Sequence, residues 1–90
     1  MFTDTFREVV SNEGVVSIVT CAGNEPHVVN TWNSYLELPD SNRLLIPAWK
    51  MRKTEQNTLQ ANTVLLTLGS KDVQGRMGPG TGVLLEGTAR

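Results

Sequence analysis

Three cations, Lys50, Arg52 and Lys53, fall within four positions of a chain whose net charge is −1. They lead straight into Thr54 and a polar stretch, residues 53–61, that holds a single leucine and reads as a short surface helix with Thr54 as its N-cap. Free backbone N–H groups and the helix dipole make such a terminus an anion site, and an adjacent lysine adds a full charge. The chemistry indicated is phosphate binding, with Thr54 either bonding a phosphate oxygen or capping the helix. A solvated basic turn has the same composition.

A second constellation is Asn30-Thr31-Trp32-Asn33-Ser34, four polar residues around one tryptophan. Such a stretch makes a poor core strand, because buried polar groups need partners. A planar aromatic beside amide and hydroxyl donors suits a flat, acceptor-rich heterocycle such as an isoalloxazine or a base. An exposed strand face with Trp32 as a core anchor accounts for the same residues.

Other candidates carry less. Gly75–Gly82 (GRMGPGTG) has four glycines in eight residues but lacks the order and the following helix of a dinucleotide fingerprint, so it reads as a hairpin connection. His27 is the lone histidine, beside Pro26 in a turn, with no ligands at metal spacing. Cys21 is the single cysteine, which excludes an intramolecular disulfide and a cysteine cluster. Glu13 follows a helix end and reads as a solvated loop acid.

The elements that must position these groups are mostly strands. Phe2, Phe6, Val9 and Val10 repeat at helical spacing, predicting a helix over residues 3–12, capped by Thr5 or Asp4 and stopped at Glu13-Gly14. Val15–Cys21 is β-branched and reads as a buried strand. A turn at residues 22–26 leads to His27–Leu38, long enough for a strand that bends. Pro39–Asn42 closes a hairpin onto Arg43–Trp49, where Pro47 marks an edge or bulge. Thr63–Leu68 and Val83–Thr88 complete at least five strands with no βαβ rhythm, which favours an antiparallel barrel.

The length allows one domain, residues 1–90, and a chain this short leans on a ligand or a second subunit for stability. An acidic balance argues against a non-specific nucleic-acid binder. No apolar run approaches the roughly 18–20 residues that span a bilayer, and Asp4, Arg7 and Glu8 disrupt any leader, so a cytoplasmic location is expected.

Taken together, Asn12–Val16, Pro26-His27, Val29–Leu36, Lys53-Thr54-Glu55, Thr67–Ser70 and Gly78–Gly82 closely resemble the small FMN-binding members of the pyridoxamine-phosphate-oxidase-like split-barrel flavoprotein family. The resemblance runs along the whole chain and implies a mainly β fold, a six-stranded antiparallel Greek-key split barrel with short helices. It implies one FMN per chain and a homodimer with the flavins near the interface. By motif match, Lys53 and Thr54 resemble the phosphate ligands, and Asn30, Thr31, Trp32 and Asn33 the strand against the ring and ribityl chain. Pro47, Ala48, Trp49 and Lys50 match the adjacent strand end, where the family has glycines at the last two positions, so Trp49 either stacks on the flavin edge or occupies its space. Glu13 resembles a residue near the flavin of the dimer.

The family's chains run on beyond the position of Arg90, which here falls partway through a strand, so a continuing chain or a partner is expected to complete the sheet. The function implied is electron transfer by bound FMN to an unnamed redox partner, more an electron carrier than a dedicated enzyme. A flavin-dependent reductase of a small molecule, or a cofactor-free barrel acting as an interaction module, are the alternatives.

Overall fold

The computed structural model describes residues 2–75 and 78–89. In chain order it comprises helix α1 (Asp4–Val10), strands β1 (Val15–Ala22) and β2 (Glu25–Trp32), a single helical turn at Asn33–Tyr35, helix α2 (Arg52–Gln60), and strands β3 (Thr63–Gln74) and β4 (Pro79–Thr88). The strands form one antiparallel sheet in the order β2-β1-β3-β4. Among the described residues this is a four-stranded open sheet where six strands and a closed barrel were expected.

Local chemistry explains where the elements begin and end. Thr3, in extended conformation, caps α1 by accepting from the Phe6 N–H at 3.1 Å, so neither Asp4 nor Thr5, already helical, does so. Ser11 is the C-cap. Gly14 serves a different purpose from stopping the helix: a Cβ there would meet the Gly69 carbonyl oxygen at 3.0 Å and Asn33 Nδ2 at 3.2 Å. At the β1–β2 turn Gly23 has φ 62°, the left-handed value that the first position of a tight two-residue hairpin loop demands.

The expected strand over His27–Leu38 ends at Trp32, and Arg43–Trp49 contributes only the Glu37–Leu45 bridge. Glu37 and Leu45 exchange both backbone hydrogen bonds, at 3.0 and 2.8 Å. The next such pairs on either side would use Pro39 and Pro47, which have no N–H to donate. The hairpin is closed, as read, at Pro39–Asn42, where Asp40 accepts from the Asn42 N–H and from Arg43 Nε.

β3 and β4 extend further than Thr63–Leu68 and Val83–Thr88, with a register irregularity between Ser70 and Gln74. The connection shrinks to residues 75–78, closed by the Gly75 N–H on the Gly78 carbonyl at 2.8 Å. Arg76 and Met77, part of the glycine-rich loop, lie outside the described residues.

Register sorts the sheet into two faces. On the covered face lie Val16 and Ile18 of β1, Val29 and Thr31 of β2, Leu66 and Leu68 of β3, and Val83 and Leu85 of β4. Phe6 and Val9 of α1 and Met51 before α2 join the buried cluster on this side. The other face carries Val28, Asn30 and Trp32, then Val15, Ser17 and Val19, then Leu65 and Thr67, then Leu84 and Glu86. Val15, Val28, Trp32 and Leu84 are exposed there.

Candidate functional site

The start of α2 lacks a side-chain cap. Its N-cap is Met51, whose side chain makes no capping bond, and Thr54 is the third helical residue instead of the cap. The first-turn N–H groups therefore have no side-chain acceptor, and the positive end of the helix dipole is open. Lys53 projects into solvent, whereas Thr54 turns inward, buried, with its hydroxyl lacking a partner. Among the described residues it is one of three buried side-chain atoms without a partner, with Asn33 Oδ1 and Asn57 Oδ1, and of the three the one hydroxyl, able to donate to a ligand oxygen or water.

The turn before α2 is conformationally unusual. Lys50 has φ 59°, among the described residues the one non-glycine with positive φ. That conformation costs an L-residue about 1–2 kcal/mol. Its ammonium lies 4.6 Å from the ring centroid of Trp49, a residue 78% exposed that gives the cation little shelter from water. Lys50→Gly is therefore expected to raise stability by about 0.5–1 kcal/mol, a rise of several degrees in Tm for a domain of this size. A lowered Tm on calorimetry would show that the lysine side chain outweighs its backbone cost.

Two hollows flank this turn. One, of about 150 Å³, is walled by Ile18, Ile46, Ala48, Met51, Thr54 and Glu55, among others. The other, of about 280 Å³, is formed by Tyr35, Glu37, Leu45, Ile46 and Pro47. Ile46 belongs to both walls, so residues 45–48 form the partition between the α2 start and the Tyr35 side.

The Asn30–Asn33 stretch divides between faces. Asn30 and Trp32 point to the open face; Thr31 and Asn33 are buried on the other side. β2 is an edge strand, and no other strand among the described residues pairs with its outer side. The Asn33 N–H bonds the Gly14 carbonyl at 2.9 Å, which fixes the antiparallel alternation. The backbone N–H and C=O groups of Val28, Asn30 and Trp32 therefore face outward from the sheet. Ser17 Oγ donates to Asn30 Oδ1 at 2.7 Å, leaving the Asn30 amide N–H₂ as a free donor on the open face. Trp32, 48% exposed, stands opposite Val15.

Asn33 and Glu13 tie this strand end to α1. The Asn33 amide, 1% exposed, donates to the carbonyls of Asn12 at 2.7 Å and Val9 at 3.2 Å. Its donors are spent on backbone, so Asn33 positions the strand. Glu13 Oε1 accepts from the Gly14 N–H at 3.1 Å and the Ser34 N–H at 3.4 Å. The Gly14 bond first, then Ser34, holds the Glu13 carboxyl below its usual pKa.

Of the residues singled out in the sequence, Pro47, Ala48, Trp49, Lys50, Lys53 and Thr54 gather around the α2 start, while Asn30 and Trp32 stand on the far face of the sheet edge. A ligand that touches both groups has to cross the free edge of β2. The sequence reading missed Asn57 and Thr20. Both are buried, and Asn57 Nδ2 donates to Thr20 Oγ1 at 3.0 Å, joining α2 to β1. The signal available was the polar pair Thr54 and Asn57 at i, i+3, one face of a helix.

The model of the Pyridoxamine 5'-phosphate oxidase family matches residues 2–90, and the chain belongs to that family. A curated relative, the FMN-binding protein of Nitratidesulfovibrio vulgaris (strain DSM 19637 / Miyazaki F), is 54% identical over 89 residues, which cover 99% of this chain and 73% of the relative.

Proposed function

We propose that this chain binds FMN across the free edge of β2 and carries electrons with it. The observation that carries the reading is the buried, unpartnered Thr54 hydroxyl in the uncapped first turn of α2, with Lys53 beside it. Three kinds of donor, backbone N–H, hydroxyl and ammonium, suit a terminal phosphate dianion. The outward backbone groups of Asn30 and Trp32 and the free Asn30 amide suit the mixed donor and acceptor edge of a flavin ring. Similarity to a relative named for FMN binding supports the same ligand.

When bound, FMN supplies one- and two-electron redox chemistry. The protein's residues bind and orient it. Lys53 and the α2 dipole would offset the phosphate charge, Thr54 would donate a hydrogen bond to it, and Thr31, buried on the covered face of β2, would lie on the strand that borders the ring. Trp49, in the turn before α2, would either stack on the flavin edge or occupy its space. Purified protein, reconstituted with flavin, is expected to be yellow and to release a compound with the mass of FMN. Protein that stays colourless with FMN in excess overturns the reading.

The reading extends to a second copy of the chain. Val15, Val28, Trp32 and Leu84 leave exposed apolar surface on one face, and β2 and β4 are both free edges among the described residues. Such surface and edges invite association. The same reading includes a homodimer that covers the open face and a six-stranded barrel to which this sheet would contribute; the exposed apolar residues and free edges support it. Sedimentation of the flavin-loaded protein at micromolar concentration is expected to give a dimer; a compact monomer would rule this out.

A further inference from the structure

We infer that Asn57 and Thr20 act as a pair that positions the phosphate-binding end of α2, and so set the preference for FMN over unphosphorylated flavin. The inference rests on the phosphate site proposed above.

α2 is a helix without an apolar anchor. Its single leucine, Leu59, is 88% exposed, and the side chains turned inward are Thr54 and Asn57. A helix of nine residues is marginal on its own, so its place is set by what it packs against. Thr54 makes no hydrogen bond through its hydroxyl, which leaves the bond from Asn57 Nδ2 to Thr20 Oγ1 as the directional tie between this helix and the sheet among the described side chains.

The tie is buried at both ends, Asn57 and Thr20 each being 1% exposed. Asn57 lies one turn beyond Lys53 and Thr54, so it fixes both the height and the rotation of the turn that would hold the phosphate.

Stability alone does not account for an asparagine at this position. Asn57 Oδ1 is buried without a partner, so the residue bears an uncompensated polar atom in the core. Replacing both partners of a buried hydrogen bond by apolar groups of similar shape is close to neutral, whereas leaving one unpaired is costly. An apolar seam, with leucine in place of Asn57 and valine in place of Thr20, would hold the helix just as firmly, but without a fixed direction. What the polar pair adds is register.

The test compares FMN and riboflavin affinities in Asn57→Leu, Thr20→Val, the double variant and Thr20→Ser, all as full-length protein reconstituted from apo-protein. Loss of folded protein weakens both ligands equally and cancels in the ratio of their dissociation constants. The ratio is expected to fall roughly five- to tenfold in each single variant, by no more in the double variant, and to recover in Thr20→Ser, which keeps the hydroxyl. The double variant is expected to melt within a few degrees of the parent while keeping the lowered ratio. An unchanged ratio in the double variant overturns the inference if Lys53→Ala, run alongside, lowers it. An unchanged ratio in Lys53→Ala as well removes the phosphate site from α2, and the inference with it.

Discussion

Replacing Lys53 by alanine is expected to weaken FMN binding roughly 10- to 150-fold while leaving riboflavin nearly unchanged. Deleting a charge-assisted hydrogen bond removes about 1.5–3 kcal/mol. Lys53 is itself exposed, so its pairing with a solvated anion alone would be worth little. The larger value rests on the proposed site as a whole, in which the uncapped first turn of α2 and the unpartnered Thr54 hydroxyl would serve the same anion. The same argument predicts salt dependence. Raising ionic strength weakens FMN in the parent, and does so less in Lys53→Ala, because screening acts on the removed charge. Titration of apo-protein with both flavins, at low and high salt, measures all of this. Equal losses for FMN and riboflavin place the phosphate elsewhere.

The fold was legible where one residue type decides one conformation. Helix α1, strand β1 and the hairpin at Pro39–Asn42 follow from periodicity, β-branching and turn chemistry. Errors arose where a long-range contact overrode a local signal. The run His27–Leu38 reads as one strand, but Asn33, Gly14 and the end of α1 bend it after Trp32 through bonds to residues about twenty positions away. The stretch 43–49 reads as a strand too, but Pro39 and Pro47 lie on the very positions where a ladder needs donors. α2 inverts the usual rule: its leucine faces water and its asparagine faces the core, which a hydrophobic pattern cannot reveal. The basic cluster at the start of α2 was visible in the sequence because charges close in sequence remain close in a turn and the first residues of a helix. That Asn30 and Trp32 lie across the sheet edge from Lys53 was not, because strand alternation gives two faces without saying which one the helix covers.

Trp32 is the residue whose loss should change the optical behaviour of the bound flavin most. It stands at the end of an edge strand, half exposed on the open face, held opposite Val15 and next to the rigid Asn33 clamp. Its backbone groups face the same free edge, so a ring bound there lies beside the indole. Aromatic planes in offset or edge contact have centroids roughly 4.5–7 Å apart. At that separation an excited flavin takes an electron from indole faster than it emits light. FMN is therefore expected to be nearly non-fluorescent when bound, and Trp32→Phe or Trp32→Leu to recover emission. Trp49 is the competing quencher, since it sits at the start of α2 with its ring exposed. Replacing each tryptophan singly and then both separates them, with the emission lifetime of bound FMN as the readout. A lifetime that is unchanged on losing Trp32, with FMN still bound, would take the flavin off the β2 edge and leave Trp32 as part of the surface that a second copy covers.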